Sequence, residues 1–208
     1  MIVTCLDLEG VLFPEVWINV AEKTGIEELR FTTRDISDYN QLMQYRLKII
    51  EEKNLTLKTI QDTIATMKPF DGAVEFLDWL RGVGQVIILS DTFGEFAEPI
   101  MKMLKMPTIF CHSLGVNENN IITSYHLRIE DAKKKAVQAL KQLNFKTIAA
   151  GDSFNDISML EEADCGIFYC PPLEIAEQFP AIPVTMNYDE LKEKITGFIA
   201  KTTSDTQT

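Results

Sequence analysis

The chain has 208 residues, 46% of them hydrophobic, which suffices for one large domain or for one domain carrying an insertion. Lys and Arg total 20 against 31 Asp and Glu, a formal charge of −11, and this excludes a general attraction to nucleic acid or to anionic lipid. Any anionic substrate must therefore meet a locally placed cation.

The chain opens with Ile-Val-Thr-Cys-Leu-Asp-Leu-Glu-Gly-Val. Ile2–Leu8 is a run of strand formers apolar enough to be buried on both faces, yet it ends in two acids, Asp7 and Glu9, with Gly10 behind them. Further β-type runs are predicted at Gln85–Ser90, Pro107–Cys111, Thr147–Gly151 and Gly166–Cys170. Segments of helical period alternate with them, which predicts an α/β fold with a parallel sheet between helical layers. Asp71–Gly82 and about Ala132 to Leu143 are two of these helices, the first read with an Asp cap and a closing Gly.

More than seventy residues separate the first two strands, where a simple crossover needs about a dozen. The excess reads as three helices, Glu15–Thr24, Asp38–Lys53 and Leu57–Met67. They form a small helical cap over residues 14–70, inserted into a core of residues 1–13 and 71–200. Val116–Asn120 predicts the turn of a hairpin or flap, and the polar tail 201–208 is expected to be disordered.

The four cysteines read as buried reduced thiols, three of them within strand-like runs, and Cys165 and Cys170 are spaced too widely for a common zinc knuckle. His112 and His126 are expected at the surface or in the hairpin, and Trp17 and Trp79 in packing. No apolar stretch is long enough to span a bilayer and no leader pattern opens the chain, which favours the cytoplasm.

Ligands of open α/β sheets bind beyond the carboxyl ends of the strands. Those ends carry Asp7-Leu8-Glu9-Gly10, Leu89-Ser90-Asp91-Thr92 and Gly151-Asp152-Ser153-Phe154-Asn155-Asp156, and Lys133-Lys134-Lys135 opens the helix before the last of them. Acids gathered at one edge repel unless a cation joins them, and a hard divalent ion such as Mg²⁺ suits carboxylate oxygens. A lysine, a serine hydroxyl and backbone N–H groups complete a set suited to phosphoryl transfer, with one carboxylate as nucleophile and another moving protons.

These four ordered motifs resemble those of the haloacid dehalogenase superfamily, over nearly the whole chain. The resemblance implies that fold, with Asp7 as nucleophile, Glu9 as general acid/base and Ser90 as phosphate ligand. It also implies Lys133, with Lys134 as the alternative, as charge neutraliser, and Mg²⁺ held by Asp7, Asp152 and the backbone carbonyl of Glu9.

Within the superfamily the likeness is to the phosphoserine phosphatases. Glu15 and Arg46 match their ligands for a substrate ammonium and carboxylate, and Asn155 adds a polar contact. Glu9 stands where most relatives have Asp, and Ser90-Asp91-Thr92-Phe93 stands where phosphoserine phosphatases usually carry Ser-Gly-Gly-Phe. Both departures are similar to the branch that also transfers the phosphoryl group to homoserine, for which Asp91 is read as an acceptor contact.

The rival readings are a phosphatase of another small phosphometabolite with the same cap, and a signalling receiver domain. The receiver is disfavoured because the third run ends at Cys111-His112, without the phosphorylated Asp such a domain needs. Neither G-x-G-x-x-G nor a Walker A sequence occurs, which argues against a nucleotide module.

Overall fold

The computed structural model describes residues 1–32, 35–36 and 38–205. Seven strands form one sheet: β1 (Ile2–Leu6), β2 (Gln85–Phe93), β3 (Thr108–Val116), β4 (Ile122–His126), β5 (Lys146–Gly151), β6 (Cys165–Tyr169) and β7 (Val184–Thr185). Their order is β4-β3-β2-β1-β5-β6-β7, parallel throughout except for the antiparallel β3–β4 pair. β1 thus lies between β2 and β5, where the chain order reverses, and a crevice opens beyond its carboxyl end.

Among the described residues nine α-helices accompany the sheet: α1 (Val16–Thr24), α2 (Tyr39–Glu52), α3 (Leu57–Thr66), α4 (Ala73–Val83), α5 (Gly94–Met103), α6 (Ala132–Gln142), α7 (Ile157–Glu162), α8 (Leu173–Gln178) and α9 (Tyr188–Asp205). The period-2 alternation of the strands separates two cores. Val3, Cys5, Leu89, Ala149 and Phe168 pack with residues of α6, α7 and α8. Leu6, Ile88, Ile148, Ala150 and Ile167 face the other way and join α4, α5 and α9.

The helices between β1 and β2 share this second core. Trp17 of α1 meets Phe96 of α5 edge to face at 5.3 Å, and Ile60 and Ile64 of α3 are fully buried. Burying each such side chain contributes about 1.5–3 kcal/mol. The inserted helices are therefore joined to the body by one continuous apolar cluster.

The hairpin predicted around Val116–Asn120 is present as β3–β4. Asn117 Oδ1 accepts N–H bonds from Asn119 and Ile121, and Asn120 takes a left-handed φ of 62°. Asn supports both features because its short side chain mimics a backbone turn. The tip reaches the inserted helices: Leu57 N donates to Asn120 O (2.8 Å), Lys58 N to Asn120 Oδ1 (2.7 Å), and Tyr125 Oη to Asn40 Oδ1 (2.6 Å).

Four expectations are corrected. Gly72, at φ 84°, rather than Asp71 caps α4, and Gly84 rather than Gly82 closes it. β7 was not read from the sequence, being only two residues long. Residues 201–205, expected to be disordered, continue α9, where the hydroxyls of Thr202, Thr203 and Ser204 donate to carbonyls four residues back; residues 206–208 lie outside the described residues. Cys170, expected to be buried, is exposed just past β6 with φ 46°, while Cys5 is buried and Cys111 and Cys165 are half-buried. Among the described residues no helix is long and apolar enough to cross a membrane.

Candidate active site

Asp7 follows directly on β1. Its N–H donates to Ala150 O at 2.9 Å, which continues the ladder to β5, and its Oδ1 accepts the Leu8 N–H at 2.7 Å. The chain then turns sharply: Leu12 and Phe13 both donate to Leu8 O, and Gly10 at φ 83° donates to Phe13 O. A Cβ on Gly10 would stand 2.4 Å from the Asp152 carboxyl, so only glycine lets the two strand ends approach. Beyond the turn, Glu9 Oε2 accepts the N–H of Val16, the first residue of α1 (2.8 Å), using an amide that has no partner within the helix.

Lys133 is the third-motif lysine that reaches the centre. The first turn of α6 leaves it 3% exposed, with Nζ 2.7 Å from Asp156 Oδ1, 3.0 Å from Asp7 Oδ1 and 3.6 Å from Asp91 Oδ2. Burial alone would favour the neutral amine, but Asp156, Asp7 and Asp91 reverse this and hold its pKa well above the ordinary value. Lys134 is only half-buried and is absent from the cavity lining.

The acids are strained by proximity. Burial, and then repulsion from Asp156, push Asp7 well above the carboxylate range; the same two causes, with Glu15, push Asp152 to about 7. Carboxylate oxygens of Asp7, Asp152 and Asp156 lie within 4.8 Å of one another. Three hard oxygen donors so close together, with Asp7 and Asp152 held above the ordinary carboxylate range, fit a divalent cation, which relieves that repulsion. Asp156 also orders the loop: its Oδ2 accepts the N–H groups of Asp152 and Ser153, and a Cβ on Gly151 would fall 2.4 Å from its Cγ.

Glu9 is pushed to about 8, first by burial and then by neighbouring Glu15, so it carries a proton at neutral pH. Arg46 lies on α2, 6% exposed, its guanidinium 4.6 Å over the Trp17 ring and bonded through Nη2 to Phe31 O at 2.9 Å. Burial lowers it to about 10, which leaves it charged. Its Nε is buried with no hydrogen-bond partner among the described residues.

Asp91, at the end of β2, is held by three elements. Asn155 Nδ2 donates to its Oδ2 (2.8 Å), Lys133 stands nearby, and His112 Nε2 faces its Oδ1 at 3.5 Å. Burial works against its charge, but Lys133, His112 and Asn155 outweigh it and keep the carboxyl well below the usual range.

All nine residues singled out in the sequence line one cavity of about 650 Å³: Asp7, Glu9, Glu15, Arg46, Ser90, Asp91, Lys133, Asp152 and Asn155. Two others were missed. Asp156 closes the quoted motif and was given no role, although its place four residues after Asp152, at a helix start, was the signal. His112, expected at the surface or in the hairpin, is 6% exposed and reaches the site; the signal was its place at the end of the third run. Cys170 also lines the cavity.

Residues 5–164 match the family described as haloacid dehalogenase-like hydrolase. The chain is 54% identical over 192 residues to a phosphoserine phosphatase of Pseudomonas syringae, covering 92% of this chain and 81% of the relative. It is 51% identical over 194 residues to phosphoserine phosphatase ThrH of Pseudomonas aeruginosa, covering 93% and 95%. In fold it is similar to apo phosphoserine phosphatase (TM-score 0.76, 22% identity, 92% of this chain and 97% of the other) and to a substrate-bound phosphoserine phosphatase complex (TM-score 0.75, 21%, 92% and 96%). The motifs, the sheet order and these likenesses agree: the chain belongs to the haloacid dehalogenase-like hydrolases and, within them, to the phosphoserine phosphatase family.

Proposed function

We propose that the protein is a Mg²⁺-dependent phosphoserine phosphatase that works through an aspartyl-phosphate on Asp7 and also passes the phosphoryl group to homoserine. The observation that carries this reading is Arg46. A charged guanidinium, buried in the wall of the cavity with Nε unpartnered among the described residues, is a site prepared for a carboxylate. Glu15 lines the same cavity and supplies the opposite charge for an ammonium. An amino acid held by both turns its phosphate toward Asp7.

The division of the chain follows from this. Residues 14–70 act as a cap that recognises the amino acid through Glu15 and Arg46. The core of residues 1–13 and 71–200 carries Asp7, Ser90, Lys133 and Asp152.

In the first step an Asp7 carboxylate oxygen attacks phosphorus, and the P–O bond to serine breaks. Glu9, protonated at neutral pH, gives its proton to the departing alkoxide. In the second step Glu9 takes a proton from water, or from the homoserine hydroxyl, as that oxygen attacks phosphorus and frees Asp7. Lys133 orients Asp7 and neutralises charge, and Ser90 donates to a phosphoryl oxygen. Mg²⁺, held by Asp7, Asp152 and the Glu9 carbonyl, would supply charge neutralisation between carboxylate and phosphoryl oxygens.

The test compares phosphoserine, phosphoethanolamine and p-nitrophenyl phosphate, with and without homoserine, reading free phosphate and phosphohomoserine. Preference for phosphoserine, with phosphohomoserine formed when homoserine is present, supports the reading. Indifference to the amino-acid moiety overturns it in favour of a phosphatase of another small phosphometabolite.

A further inference from the structure

We infer that His112 is a positioning residue: it holds the Asp91 carboxylate at the catalytic cavity, 3.6 Å from Lys133, and so sets which acceptor takes the phosphoryl group. The acceptor clause rests on the transfer activity proposed above; the positioning clause does not.

His112 is fixed before it meets Asp91. It ends the parallel part of β3, pairs in register with Phe93, and is 6% exposed. The Arg128 N–H donates to its Nδ1 at 3.1 Å, so in the neutral ring the proton is on Nε2, the nitrogen facing Asp91 Oδ1 at 3.5 Å.

Asp91 needs such a partner because Lys133 is oversubscribed. One ammonium with three protons faces Asp156 at 2.7 Å, Asp7 at 3.0 Å and Asp91 at 3.6 Å. Asn155 holds one Asp91 oxygen and His112 faces the other. With His112 gone, Oδ1 loses the ring nitrogen that faces it and the carboxylate is free to close on Lys133, where it competes with the nucleophile.

The location matters as much as the bonds. Asp91 stands in the wall between the catalytic cavity and an adjoining one of about 1140 Å³, lined in part by His112, Leu127, Ile129, Phe154 and Leu173. An acceptor approaching the phosphorylated Asp7 from either side passes this carboxylate, whose charge suits an ammonium.

The experiment counts free phosphate and phosphohomoserine, at saturating phosphoserine with homoserine present. The proteins are wild type, His112→Ala, His112→Gln, Asp91→Ala and the Asp91→Ala/His112→Ala double variant. Gln carries an amide N–H where Nε2 stands. His112→Ala is expected to lower the ratio of phosphohomoserine to phosphate about tenfold, and His112→Gln to stay within about twofold of wild type. In the Asp91→Ala background, His112→Ala changes neither the ratio nor kcat by more than about twofold, because His112 acts through Asp91.

A ratio unchanged in His112→Ala overturns the inference, as does loss in a normally folded His112→Gln or effects that multiply in the double variant. If the wild type makes no phosphohomoserine, the transfer reading fails by itself. The positioning role is then judged from kcat for phosphoserine hydrolysis in the same cycle, where non-additivity supports it and multiplication overturns it. Should His112→Ala fail to fold, His112→Asn, whose amide stops short of Asp91, takes its place.

Discussion

Lys133 lies nearer to Asp156, at 2.7 Å, than to Asp7, at 3.0 Å. The residue that neutralises the proposed nucleophile is thus anchored by a different acid, itself fully buried. Asp156→Asn removes that anchor and leaves the ammonium shared by Asp7 and Asp91. Unmaking one partner of a buried ion pair costs about 3–5 kcal/mol, and less here because two acids remain. Urea unfolding is expected to show a loss of about 2 kcal/mol, and kcat to fall at least about tenfold. Wild-type stability in Asp156→Asn would remove this anchor from the account.

Glu9→Gln keeps the shape and the acceptor for the Val16 N–H but cannot exchange protons. General acid–base steps contribute about 10²–10⁴ in rate, so kcat is expected to drop in that range while KM for phosphoserine moves little. Rapid-quench measurement of acid-stable phosphoenzyme reports which of the two proton transfers has become slower.

Arg46→Lys keeps the charge and loses the fork. The kcat/KM for phosphoserine is expected to fall about 10- to 100-fold, and the value for phosphoethanolamine, which has no carboxylate, far less. Equal losses on both substrates would show that Arg46 only braces α2 against Phe31 and Trp17.

The hairpin tip ties the inserted helices to the sheet through Asn120. Asn120→Ala removes the side-chain acceptor for Lys58 N and strains a left-handed φ, a combined loss of about 1–2 kcal/mol. Hydrogen exchange is expected to quicken at the start of α3 and not in β1 or β5.

Asp164 provides a pH test away from the site. Its Oδ2 accepts from Thr147 N (2.8 Å) and Thr147 Oγ1 (3.0 Å); burial raises its pKa, but these bonds outweigh burial and the net shift is downward. A depressed folded pKa stabilises the fold above the unfolded carboxylate value, about 3.9, and that contribution is lost as pH falls through the folded pKa. Asp164→Asn is expected to lower stability by about 1–2 kcal/mol at pH 7 and to differ progressively less from wild type toward pH 3. A gap that stays constant with pH would remove the carboxylate's charge from the explanation.

Much of this protein is legible in its letters. The alternation of apolar runs with helical periods sets a parallel sheet, and the long gap before Gln85 sets an insertion, because each strand and helix must bury a face of its own period. Acids and a hydroxyl at strand ends mark the active edge, since a buried strand tolerates such groups only where the sheet stops. Hence the seven residues named from the motifs meet in one cavity, together with Glu15 and Arg46, which the family resemblance supplied.

What required tertiary structure was pairing across elements. Nothing local to Ile109-Phe110-Cys111-His112 tells that His112 turns inward: this depends on the β2–β3 register and on an amide from Arg128. Nothing in Lys133-Lys134-Lys135 tells which lysine reaches Asp7, because three successive residues of a helix point about 100° apart and only the docked orientation of α6 selects one. The sequence by itself determined which chemistry gathers at the sheet edge. The tertiary structure decided that one ammonium serves three carboxylates and that His112 and Asn155 steady the third, since such sharing depends on distances between groups far apart in the chain.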